Sequence, residues 1–64
     1  MISVNYSWLN SDGVVTSRTI MQIAVPRLYE RVHFIAHGME HQGLVKSVSW
    51  KVAYGDTEAL VVLT

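Results

Sequence analysis

The chain has no cysteine and a single proline, Pro26, in 64 residues. Without cysteine there is no disulfide framework and no thiolate zinc cluster, the staples on which many small domains rely, and the redox compartment is left open. Charge is scarce as well: 16% of residues are Asp, Glu, Lys or Arg, and the formal net charge is zero. A neutral chain lacks the general attraction to phosphate that drives non-specific nucleic-acid binding, so nucleic acid is a disfavoured partner. No apolar run approaches the roughly 20 residues of a membrane span, and no membrane association is expected. The opening Met1-Ile-Ser-Val-Asn-Tyr-Ser-Trp8 alternates apolar and polar residues and has neither the basic region nor the apolar run of a signal peptide. A cytoplasmic protein is expected.

What the chain does have is apolar surface. Half its residues are hydrophobic, yet a chain of this length forms one domain, residues 1–64, that buries only about 60% of its surface. That imbalance predicts a homodimer or an obligate protein partner.

Ile2, Val4, Tyr6 and Trp8 alternate with Ser3, Asn5 and Ser7, the period of two that places all the large groups on one side of a strand. Asn10-Ser11-Asp12-Gly13 supplies a turn, with Asp12 and Gly13 as the turn formers. A return strand follows within Val14 to Val25, with an irregularity near Ser17 and Arg18, where a helix is the competing reading. Pro26 suits the first turn of a helix, and Leu28, Val32, Ile35 and Met39 form the apolar stripe of a helix that ends at Gln42-Gly43. Beyond Gly43 the period of two returns, with Leu44, Val48, Trp50, Val52 and Tyr54 on one face and Val45, Ser47, Ser49, Lys51 and Ala53 on the other. Gly55-Asp56-Thr57 turns the chain, and Glu58 to Thr64 is nearly all apolar. Tyr6, Trp8, Trp50 and Tyr54 are expected in the core, and Ser3, Asn5, Ser7, Ser47 and Ser49 on a flat, uncharged sheet face suited to pairing with another chain.

These elements predict an α+β fold of order ββαββ, a four-stranded sheet with one amphipathic helix packed on one face. The topology resembles the β-grasp and protein G-like arrangement, which implies first and last strands side by side in the centre. It implies no function, because that architecture hosts many. The chain also shows no Gly-Gly tail of the kind a ubiquitin-like carrier needs.

On the predicted helix His33, His37 and His41 recur every fourth residue. With Leu28 at zero and about 100° per residue they fall near 140°, 180° and 220°, opposite the core stripe. There they join Glu30, Phe34 and Glu40 on the outer face. Two imidazoles four apart can share a metal, so His37 and His41 are the candidate zinc ligands, with His33 and Glu40 beside them. His37-Gly-Met-Glu40-His41 is similar to the inverted zinc-metallopeptidase motif, in which the histidines bind zinc and the glutamate is the base. The resemblance covers five residues, and in that family a distant carboxylate completes the site inside a chamber beyond the reach of this length. Catalysis is therefore not expected, and no cofactor is required.

The leading expectation is a small non-enzymatic protein-binding module, an inhibitor or modulator of the kind phages and mobile elements encode, acting by steric occlusion. Its contact residues would be Glu30, His33, Phe34, His37 and His41. A zinc-binding protein using His33, His37, Glu40 and His41 is the second reading. The third is a weak nucleic-acid-binding accessory protein, which needs Arg18, Arg27, Arg31, Lys46 and Lys51 to cluster.

Overall fold

The computed structural model describes residues 1–36 and 38–64. Five strands form one mixed sheet: β1 (Ile2–Leu9), β2 (Val15–Gln22), β3 (Arg31–Ala36), β4 (Met39–Ala53) and β5 (Asp56–Leu63), in the order β2-β1-β5-β4-β3. There is no helix among the described residues. The expected α+β, four-stranded arrangement is thus corrected to all-β with five strands.

The error lies in residues 28 to 42, where Val32, His33, Phe34 and Ile35 are four successive poor helix formers. The helical stripe Leu28, Val32, Ile35, Met39 coexists with a period-two reading, Val32 and Phe34 against His33 and Ile35, and the sheet selects the latter. Gly38 adds a local preference for the turn. At φ +73° it occupies the left-handed region that turns β3 into β4 as a hairpin pairing Ala36 with Met39, whereas inside a helix it would cost about 1 kcal/mol relative to alanine.

Gly43, read as a helix stop, is a buried strand residue instead. A Cβ there would sit 2.8 Å from the carbonyl oxygen of Thr64 and 3.2 Å from the Leu63 Cβ, so only glycine admits this close approach. Pro26 begins no helix. It belongs to an irregular connection that runs from β2 to β3, turns at Leu28 and Tyr29, and leaves Val25 packed against the core. Glu30 anchors that connection: its Oε1 accepts from the Arg27 N–H at 2.6 Å, and its carbonyl accepts from the Val45 N–H at 2.9 Å.

The first hairpin stands where the alternation of residues 2 to 8 put it. Its turn is organised by Asn10 rather than Asp12, since Asn10 Oδ1 accepts the N–H groups of Asp12 at 2.9 Å and Val14 at 3.0 Å. β1 and β5 lie side by side and parallel, Val4 opposite Ala59 and Tyr6 opposite Val61. This shares with the resembled topology its central strand pair, but no helix covers it.

The register defines two faces. Val4, Tyr6, Ala59, Val61, Leu63 and Val45 lie on the inner face and are buried. The outer face carries Ser3, Asn5, Ser7, Leu60, Val62, Ser47 and Ser49. β4 is irregular between Val45 and Ser47, and such a bulge bends a strand. Its first half curls with β3 over the inner face, where Phe34 packs on Tyr6 and Trp8. The core is therefore closed by a hairpin of the sheet itself.

Candidate functional site

On a helix His33 and His41 would share a face. In the β3–β4 hairpin they point oppositely, because His41 is paired with Phe34 and His33 with Gln42, neighbouring positions of the ladder whose side chains project to opposite sides. The His41 ring lies in the inner aromatic cluster, 5.3 Å from Phe34 and 5.1 Å from Trp8 between ring centres. His33 lies on the other side, its Nδ1 3.1 Å from Glu40 Oε1 and its Nε2 hydrogen-bonded with Gln42 Oε1 at 3.0 Å. Both members of the His33–Glu40 pair are well exposed, so the pair is screened by water and holds the hairpin only weakly.

The expected contact face of Glu30, His33, Phe34, His37 and His41 is therefore not one face. Phe34 is half-buried and turned inward, Glu30 caps the connection, and His37 lies outside the described residues. Among the described residues no three His, Asp or Glu side chains converge on a point that could hold a metal ion. Two of the basic residues, Arg18 and Lys51, fall on opposite sides of the sheet. Arg18 lies opposite Tyr6 on the inner side, while Lys51 lies opposite Glu58 on the outer side.

Two assemblies remain that could act. The inner cluster stacks Phe34 on Tyr6 with ring centres 5.5 Å apart and sets Trp8 edge-on to Phe34 at 4.9 Å. An open groove of about 360 Å³ borders it, lined by Trp8, Phe34, Met39, His41 and Gln42 among others. Beneath, the Tyr6 hydroxyl donates to Gln22 Oε1 at 2.6 Å, and burial raises the phenol above its ordinary pKa. Rings so closely packed against one another serve to shut the core.

The second assembly is the outer face, where the small polar residues satisfy one another. Ser7 donates to Asn5 at 3.3 Å, Asn5 to Thr19 at 3.0 Å and Ser3 to Glu58 at 3.3 Å. Leu60 and Val62 form an apolar ridge through the middle, with Leu9, Val15 and Leu44 exposed near one end and Met21 near the other. The flat serine face was expected from the alternation of strands 1 and 4. The ridge was not singled out, although its signal was present: in β5 apolar residues occupy both parities from Ala59 to Leu63, so one set had to face outward.

Trp50 and Tyr54 were expected in the core and are not there. Trp50 is 52% exposed and Tyr54 wholly so, whereas Tyr6 is buried and Trp8 partly buried. The inner face at that end of β4 extends beyond the cover provided by β3. Among the described residues no helix is long and apolar enough to cross a membrane. No family model, curated protein or solved structure matches the chain.

Proposed function

We propose that this protein is a non-enzymatic protein-binding module of the cytoplasm that modulates a protein partner by covering part of its surface, using the outer face of β1, β5 and β4. The observation that supports this reading is the Leu60–Val62 ridge flanked by Ser7, Asn5, Ser47 and Ser49. Its polar atoms are small and, at Asn5 and Ser7, already bonded to neighbours, so covering them carries a small desolvation cost, while the ridge gains from burial. The partner this fits presents a flat, weakly charged surface with an apolar strip of its own.

The histidines take no chemical part in this reading. His33 is engaged with Glu40 and Gln42, and His41 packs on Phe34 and Trp8. The test is affinity capture from the native host with the intact chain and with a Ser7→Lys/Val62→Lys variant. One protein retained by the intact chain and lost by the folded variant is expected. Retention by the variant, or loss instead on His33→Ala, overturns the use of this face.

A further inference from the structure

β4 is a long strand with a single-sided second half. β3 pairs with its residues Met39 to Leu44, and Tyr29 and Glu30 bond the backbone of Val45, but from Ser47 to Ala53 the strand is paired only with β5. Its other flank has no strand beside it among the described residues. The chain turns at Tyr54-Gly55, so Ala53 and Asp56 form the first hairpin pair. Alternation from there directs the peptide groups of Lys51, Ser49 and Ser47 toward β5 and those of Val48, Trp50 and Val52 outward. The positions with unpaired backbone thus carry the large apolar side chains, Trp50 at 52% and Val52 at 76% exposure.

The exposed surface is also large for a chain of this mass. A folded 7.2 kDa chain exposes about 4,100 Å² by size scaling, and this one exposes 4789 Å². The excess of roughly 700 Å² is close to the ~800 Å² that each partner gives to an interface of standard size.

We propose that the protein forms a two-fold homodimer in which the Ser47–Ala53 flanks of β4 pair antiparallel about Trp50, joining two five-stranded sheets into one. Trp50 is the midpoint of the free flank, so this register pairs the flank with its copy end to end. Trp50 then lies opposite Trp50 of the second copy, Val48 opposite Val52, and Ser49 opposite Lys51. Outward peptide groups meet outward peptide groups, and no like charges face each other. Moving the centre one residue toward Gly55 sets Lys51 against itself, and moving it one residue back drives Ala53 against Val45, whose backbone Glu30 and Tyr29 already occupy. The other long edge, β2, is a poorer candidate because Arg18 sits in its middle and its exposed apolar residues, Val15 and Met21, lie at its two ends, separated by Ser17 and Thr19. The pairing leaves the outer faces free and adjacent, so it rests on the contact reading only in taking association as the protein's mode of action.

Sedimentation equilibrium on the intact chain and six variants tests the pairing. Trp50→Glu and Trp50→Lys should each raise the dimer dissociation constant by about tenfold or more through like-charge opposition, and an equimolar mixture of the two should restore association. Ser49→Glu, which faces Lys51 of the second copy, should tighten the dimer by roughly two- to tenfold and Ser49→Lys should loosen it; both lie on an exposed position that leaves the fold intact. A strictly monomeric intact chain, or a dimer indifferent to Ser49→Glu and Ser49→Lys but broken by Thr19→Glu on β2, overturns the proposal. The Ser7→Lys/Val62→Lys variant should remain dimeric, so loss of the outside partner and loss of the dimer are separate results.

Discussion

Phe34 stacks on Tyr6, rings 15° from parallel and 5.5 Å apart, and through this contact the curled β3–β4 hairpin closes the inner face of the sheet. Replacing Phe34 by alanine should uncover Tyr6 and Trp8 together. A loss of about 3 kcal/mol is expected from the cost of truncating a packed aromatic, read as a lower urea midpoint, and a change under 1 kcal/mol would mean that the hairpin is not the lid.

Tyr6 should make stability fall at alkaline pH. Burial holds the folded phenol above the ordinary value of 10.0. Because the raised group is an acid kept neutral, its contribution is fully present below the unfolded pKa and is lost as pH rises toward and through the folded one. Thermal melting should be level with respect to this group through neutral pH and decline above about pH 10. Tyr6→Phe should remove that decline and cost about 1 kcal/mol at neutral pH through the lost bond to Gln22.

A methyl group at Gly43 has no space. Gly43→Ala brings a Cβ within 2.8 Å of the Thr64 carbonyl oxygen and 3.2 Å of the Leu63 Cβ, and should lower stability by roughly 1–3 kcal/mol. Gly38→Ala meets no neighbour but is held at φ +73°, and a loss of about 1 kcal/mol is expected from backbone strain alone. Parallel denaturation of the two variants separates crowding from strain, since only Gly43→Ala should also disturb the nearby Leu44–Thr64 backbone bond in amide exchange.

The two described histidines should behave differently. His33→Ala removes an exposed pair with Glu40 and should change stability by no more than about 0.5 kcal/mol. His41→Ala takes a ring out of the Trp8–Phe34 cluster, and a loss of about 1–2 kcal/mol is expected, visible also in Trp fluorescence. Equal effects would contradict the opposite orientations of the two side chains.

Much of the fold was legible wherever one periodicity stood alone. Residues 2 to 8 and 47 to 53 alternate cleanly enough to read as strands, and the flat face of Ser3, Asn5, Ser7, Ser47 and Ser49 followed from them, whereas the break at Val45 and Lys46 is a bulge. Residues 28 to 42 were not legible in the same way. Their apolar positions satisfy a helical stripe and a strand alternation at once, and a histidine repeat of four drew attention to the helical reading. The local residues that argue for a strand, Val32 through Ile35 and Gly38, are each a weak preference.

The sequence by itself determined a neutral, cysteine-free chain, half of it hydrophobic, with an alternating first strand and an apolar last one. Those properties follow from composition and from side-chain period, which are local. Only the tertiary structure decided that Arg31–Ala36 pairs with residues 39 to 44 as antiparallel strands, that His33 and His41 part to opposite faces, and that Trp50 emerges from the sheet rather than filling it. The physical reason is that each of these depends on which distant strand lies alongside: β5 and Thr64 against Gly43, Tyr6 beneath Phe34, and no strand beside Trp50.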